Sequence, residues 1–171
     1  MAGRIVGIDL GTTNSVVAVS TGETVRALAD ADGGKLIPSV VAFHPSGQVL
    51  VGKRARERRA IDARNTVYSV KRLIGRPFDS DEVRAARERF PFEIASSPTG
   101  GVVVVTRGER HTLPEISAFV LREVRRVAED ALDTVVDRAV VTVPANFNEL
   151  QRTATKAAGK IAGIEVVRTI N

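Results

Sequence analysis

The sequence predicts an α/β fold, a mixed β-sheet with helices on its faces and an α+β segment inserted into it. Three observations carry that expectation. The first 28 residues read as three strands joined by two turns, the segment from Thr112 onward alternates helices and strands, and the stretch between them is irregular. With 171 residues, 43% hydrophobic and 26% charged, the chain can bury about 70% of its unfolded surface. That composition excludes disorder, collagen-like repeats and a disulfide mini-scaffold.

The meander comprises strands at residues 4–9, 15–20 and 24–28, joined by turn-forming residues at 10–14 and 21–23. Short strands follow at 40–43 and 48–51, then basic helical stretches at 53–60 and 66–73. In the second stretch, Val67, Val70, Leu73 and Ile74 have helical spacing. A helix at 80–89 precedes two extended runs, 92–95 and 102–106, parted by the turn Ser96-Ser97-Pro98-Thr99-Gly100-Gly101.

From Thr112 the helical period is sustained, with Ile116, Phe119, Val120, Val124, Val127 and Ala131 on one face and Arg122, Glu123, Arg126 and Glu129 on the other. Thr112 and Glu115 have capping-box spacing, and Pro114 needs no donor in a first turn. Residues 138–143 form a nearly continuous apolar strand ended by Pro144. Asn148 and Gln151 then open a second helix that turns Leu150, Ala154, Ala157, Ala158 and Ile161 inward, with Gly163 as its C-terminal stop. A last strand, 165–170, reaches the end of the sequence without a turn or cap, and an apolar strand placed there expects a further neighbour.

Charge and residue usage narrow the function classes. The 25 Lys and Arg against 20 Asp and Glu give +5, but the cations are scattered among acids and form no phosphate-tracking stripe, so no nucleic-acid partner is expected. The absence of cysteine removes disulfides, thiolate metal sites and cysteine nucleophiles together. No apolar run approaches the roughly 20 residues that span a bilayer, and no signal peptide precedes the first strand, so no membrane partner is expected either. The expected location is the cytoplasm.

The most informative stretch is Ile8-Asp9-Leu10-Gly11-Thr12-Thr13-Asn14-Ser15. An apolar strand delivers Asp9 at its end, and Gly11 with two threonines makes a tight turn into the next strand. Such a turn can aim backbone N–H groups and hydroxyls at phosphate oxygens, while a carboxylate holds a hydrated Mg²⁺ that bridges them. An ordinary hairpin, in which Asp9 and Asn14 bond the turn backbone, explains the same residues. Two adjacent hydroxyls beside an acid favour the phosphate reading, because a plain turn needs neither.

Commoner nucleotide motifs fail. Gly47 to Lys53 has P-loop spacing, but Arg54 stands where a Ser or Thr would hold magnesium, and the run precedes a strand-like segment, so a β-turn is expected there. No G-x-G-x-x-G occurs. His44 and His111 each stand alone and read as strand or turn residues.

That phosphate-loop motif, with Lys71-Arg72-Leu73-Ile74-Gly75-Arg76 and Val141-Thr142-Val143-Pro144-Ala145-Asn146-Phe147-Asn148, resembles the Hsp70 (DnaK) chaperone family. Gln151-Arg152 and Ala162-Gly163-Ile164-Glu165-Val166 extend the likeness in order, and Asn146 departs, where that family usually has tyrosine. The first motif alone is shared with actin-like proteins and sugar kinases; three at consistent intervals are specific.

The resemblance implies the first lobe of an actin-like, ribonuclease-H-like ATPase, with a core from residues 1–38 and 113–171 and an inserted subdomain from 39–112. It implies ATP or ADP with Mg²⁺ as cofactors, cradled by Gly11, Thr12, Thr13 and Asn14. Asp9 would reach the metal through water, and Lys71 would act on the γ-phosphate and attacking water. Pro144 and Arg152 would form a switch relaying nucleotide state. The implied activity is ATP hydrolysis that drives binding and release of unfolded polypeptides in protein folding and the stress response, with a J-domain co-chaperone and a nucleotide exchange factor as partners. A second lobe and a substrate-binding domain are expected beyond Asn171, and the first lobe alone is expected to bind ATP weakly and not to turn over. A sugar or glycerol kinase of the same superfamily and a non-catalytic docking lobe are the alternatives.

Overall fold

A computed structural model describes residues 3–171. Its main sheet gathers strands from both ends of the chain: β1 (Arg4–Leu10), β2 (Asn14–Ser20), β3 (Val25–Ala27), β4 (Ile37–Pro38), β11 (Val136–Thr142) and β12 (Glu165–Ile170). The order is β12-β11-β1-β2-β3, with β4 also paired to β2. β1, β11 and β12 run parallel, while β1, β2 and β3 form the antiparallel meander. The mixed sheet and α/β class thus match the sequence expectation.

Between these strands lie two small sheets. One has order β6-β5-β7, from β5 (Val40–Phe43), β6 (Val49–Val51) and β7 (Thr66–Tyr68); the other has order β10-β9-β8, from β8 (Glu93–Ser96), β9 (Val102–Thr106) and β10 (Glu109–Thr112). Arg107 ties them together. Its guanidinium donates to the Phe43 carbonyl oxygen at 2.7 Å and pairs with Asp62, while its backbone N–H donates to Asn65 Oδ1 at 3.0 Å.

The helices are α1 (Lys53–Arg58), α2 (Asp81–Arg89), α3 (Leu113–Leu132) and α4 (Glu149–Ile161). Both long helices begin with complete capping boxes, Thr112 with Glu115 and Asn148 with Gln151, each Ncap contributing about 1 kcal/mol. α4 ends as its glycine signals: Gly163 has φ 78°, its N–H donates to Lys160 O, and the Ile164 N–H donates to Gly159 O at 2.8 Å. Two α3 arginines serve the same end, Arg122 bonding Ile161 O and Arg125 bonding Gly163 O. Val6, Ile8 and Leu10 of β1 share one core with Ile116, Val120 and Val124 of α3, and that core continues into Val41 and Val104 of the small sheets. The alternate β1 residues Ile5, Gly7 and Asp9 are exposed.

Four local expectations are corrected. Residues 66–73 are not helical: Thr66, Val67 and Tyr68 pair with Ala42, Val41 and Val40 as β7, Ser69 turns left-handed at φ 59°, and only a single 3-10 turn, Val70–Arg72, follows. The apolar residues at helical spacing are buried all the same, because a β-branched strand followed by a turn can present the same side chains inward. β10 was not expected from its charged sequence; it forms because Arg107 and Gly108, at φ 48° and 77°, make a tight two-residue hairpin that returns it along β9. Ala131 is exposed, while Leu121 and Ala128 are buried in its stead.

In α4, Leu150 and Ile161 point outward, at 69% and 42% exposure. The helix instead buries Gln151, Thr155, Ala158 and Gly159, and Ala154 and Ala157 are half-buried. Small residues face inward because the approach is close: a β-carbon at Gly159 would lie 2.5 Å from Val166 Cγ2. The Thr155 hydroxyl is satisfied within the helix by Gln151 O at 2.9 Å.

Candidate functional site

β1 ends at the surface with Asp9, and its parallel neighbour β11 places Thr142 opposite. The Thr142 hydroxyl donates to Asp9 Oδ1 at 2.8 Å, fixing the carboxylate on the exposed side of the sheet. The chain then turns through Gly11. A β-carbon there would collide with the Asn14 carbonyl oxygen, so only glycine permits so tight a loop.

Ser39 holds the loop from behind. Its hydroxyl donates to Gly11 O at 2.8 Å, its N–H donates to Thr13 O at 2.9 Å, and its Oγ lies 2.9 Å from Ser15 Oγ. The carbonyl side of the turn is therefore occupied. Among the described residues, no hydrogen bond takes up the hydroxyls or backbone N–H groups of Thr12 and Thr13. β1 and β2 form a hairpin across this turn, but among the described residues neither the Asp9 nor the Asn14 side chain bonds the turn backbone.

Lys71 comes from 62 positions along the chain, on the 3-10 turn after Ser69. It lines, with Thr12, Pro144 and Gln151, a cavity of about 410 Å³. Burial pushes the Lys71 ammonium below the usual lysine range, and the nearby Asp9 carboxylate opposes that shift. Lys71 has no ion-pair partner among the described residues. Its position depends on Gly75, whose φ is 68° and whose β-carbon would lie 2.9 Å from the Gln151 Cα and N. The motif carrying Lys71 is thereby pressed onto the first turn of α4.

Pro144 ends β11, and its carbonyl accepts from the Phe147 N–H at 3.0 Å just before the Asn148 cap. Arg152 lies away from the cavity. Its Nε donates to Phe147 O at 3.3 Å, and its other nitrogens reach Thr169 Oγ1 at 3.4 Å and Asn171 Oδ1 at 3.0 Å. The structure thus brings Asp9, Thr12, Lys71 and Pro144 to one place, and carries Arg152 to the end of β12.

A family model described as Hsp70 protein matches residues 5–171. The chain belongs to the Hsp70 family. Hsp70 proteins are ATP-binding chaperones with ATPase activity, binding ATP or ADP with Mg²⁺ and working with clients and co-chaperones. The match over nearly the whole chain decides for the chaperone resemblance over the sugar-kinase alternative. No helix among the described residues is long and apolar enough to cross a membrane.

The residues of this Hsp70 chain fit such a nucleotide. Uncommitted N–H and hydroxyl donors on a glycine turn suit phosphate oxygens, and a half-buried ammonium attracts an anion more strongly than one in open water. Asp9 has one carboxylate oxygen bonded to Thr142 and the other without a partner among the described residues. Mg²⁺ keeps several waters and needs only one or two protein carboxylates beside phosphate, so a single acid is sufficient. Sequence reasoning missed Thr142, Ser39 and Gly75. Thr142 and Gly75 lay inside quoted motifs, but only the strand register and the α4 contact reveal their parts; Ser39 carries no local signal.

The two histidines and the Gly47 to Lys53 stretch match their simpler readings. His44 Nδ1 bonds Ser46 Oγ at 2.8 Å in the β5–β6 turn, and His111 stacks on Phe43 at 4.5 Å. Gly47 to Lys53 forms that turn, β6 and the start of α1, with the Gly47 N–H donating to His44 O.

Proposed function

We propose that this chain forms the phosphate-binding wall of an Hsp70 ATPase. Its core is residues 1–38 and 113–171, and residues 39–112 are an inserted subdomain. Every strand of the main sheet falls in the first set or at its border, and both small sheets fall in the second. Gly11, Thr12, Thr13 and Asn14 hold the β- and γ-phosphates, Asp9 orients metal-bound water, and Lys71 offsets charge on the transferred phosphoryl oxygens and positions the attacking water. Magnesium, which Asp9 would hold through water, would supply positive charge against the phosphates. The observation that carries the reading is the turn whose carbonyls are tied to Ser39 while its donors remain uncommitted.

The relay to polypeptide binding runs through Pro144 and Arg152. It is supported by the unbroken path from the Lys71 cavity through Pro144, the Asn148 cap and Arg152 to Thr169. Clients, a J-domain co-chaperone and an exchange factor are the partners of that relay, acting in the cytoplasm.

Amide spectra of the labelled chain titrated with millimolar Mg-ATP test the site. Shifts at Gly11, Thr12, Thr13 and Asn14 are expected; shifts confined to other residues, or none, overturn it. In the full-length protein, Lys71→Ala should retain ATP binding and lose hydrolysis, and retained hydrolysis overturns the role of Lys71.

A further inference from the structure

Seven of the twenty arginines are paired with carboxylates, and four of the others gather around one cavity. Arg58, Arg76, Arg84, Arg107, Arg125, Arg126 and Arg138 each sit within 4.0 Å of a carboxylate. Arg56, Arg59, Arg72 and Arg89 have no carboxylate partner among the described residues, and these four line a single cavity of about 440 Å³. They come from three separate elements, α1, the Lys71 turn and α2. No acidic residue lines that cavity, and Thr12, Thr13 and Asn14 also line it.

Concentrating four guanidinium groups without a counter-charge costs free energy through like-charge repulsion, and a mobile anion relieves it. The basin is also partly built. The Arg59 guanidinium lies 3.7 Å over the Tyr68 ring, and Tyr68 is held edge-on by Phe90 and Phe92 at 5.3 Å and 5.6 Å. That stacking fixes one fork while leaving its N–H edge free, the orientation that suits bidentate recognition of a tetrahedral oxyanion.

We propose that this basin is a second oxyanion site, outside the Gly11 turn, that binds inorganic phosphate or the outer phosphates of a nucleotide. Its link to ATP chemistry rests on the phosphate-loop reading above; its preference for an oxyanion rests on the four arginines alone. Thr12 and Thr13 border both places.

Arginine Nε–Hε spectra of the labelled chain, recorded during titration with inorganic phosphate at constant ionic strength, test the proposal. Saturable shifts of Arg59, Arg72 and Arg89 are expected. The pair Arg59→Gln and Arg89→Gln should weaken phosphate binding by about tenfold or more, since each removes charge-assisted bonds. Arg89→Gln alone, which leaves the Tyr68 stack in place, should give a smaller loss and serves if the double variant does not fold. Arg84→Gln, already paired with Asp81, should change nothing. Retained phosphate binding when Mg-ATP saturates the turn identifies free phosphate as the occupant, whereas competition identifies the nucleotide's own phosphates. Equal shifts with sodium chloride, or unchanged phosphate affinity in the arginine variants, overturn the site. Shifts at Gly11 to Asn14 with Mg-ATP but no arginine dependence refute the basin alone; arginine-dependent phosphate binding without those ATP shifts refutes the loop reading alone.

Discussion

The Thr142 hydroxyl donates to Asp9 Oδ1 at 2.8 Å, so the last residue of β11 sets the carboxylate at the end of β1. Two strands 133 positions apart in sequence are thereby joined at the edge of the candidate site. Two residues after Thr142 comes Pro144, which lines the same cavity as Lys71. Thr142 thereby links Asp9 to the segment that leads into α4.

Thr142→Val keeps the β-branched shape and removes only the donor. The lost bond is solvent-exposed, so unfolding free energy should fall by no more than about 1 kcal/mol. Mg-ATP affinity should fall more visibly, by roughly threefold to tenfold, the equivalent of ~0.7–1.4 kcal/mol. Titration calorimetry with and without magnesium checks this, and an unchanged magnesium-dependent affinity would show that Asp9 needs no such partner.

Gly75→Ala should destabilise the chain by about 2–5 kcal/mol. A left-handed alanine costs ~1–2 kcal/mol, and a β-carbon 2.9 Å from the Gln151 backbone adds an overpacking cost of about 1–3 kcal/mol. Gly47→Ala, with φ 88° and nothing within 4 Å, should show the backbone cost alone. Urea unfolding of both variants separates the two contributions, and equal losses would mean that α4 yields at Gln151.

The two long helices were legible because their starts and stops are local chemistry: Thr112 with Glu115, Asn148 with Gln151, and Gly163 act within a few residues of themselves. Residues 66–73 misled because Val67, Val70, Leu73 and Ile74 have helical spacing, while pairing of Thr66 to Tyr68 with β5 is a long-range fact. Leu150 and Ile161 misled for a related reason. Hydrophobicity marks a face as apolar, but the distance between α4 and the sheet, set by Gly159 against Val166, selects the small residues. The phosphate-loop motif was readable as a turn with spare hydroxyls. Its pinning by Ser39, and the arrival of Lys71 beside Asp9, depend on tertiary packing that no spacing encodes.

Lys71 should make stability and function oppose each other. Its pKa in the folded chain is lowered, mainly by burial, so the unfolded state binds more protons between that depressed value and about 10.4, the value of a free lysine. Stability contributed by this residue therefore rises with pH across that window, and at neutral pH its charge is a net cost. Lys71→Met should raise unfolding free energy at pH 7, with the advantage shrinking as pH rises toward about 10.4. Urea unfolding of both forms across this range is the check; a variant less stable at pH 7 would show that attraction to Asp9 outweighs burial.

Arg152 offers a test of how the candidate site connects to the end of β12. Its fork bonds Phe147 O, Thr169 Oγ1 and Asn171 Oδ1 together, spanning the start of α4 and the last strand. Lysine retains the charge but is a single-point donor without a planar fork, so Arg152→Lys cannot span all three. Global stability should change by less than about 1 kcal/mol, because these contacts are partly exposed. Amide exchange should rise in β12 and around Phe147 while α3 and β1 stay protected, since opening is local to the elements the fork joins. Uniformly raised exchange would make Arg152 a general stabiliser, and unchanged exchange in β12 would show that Val166 packing against Gly159 holds the strand without it.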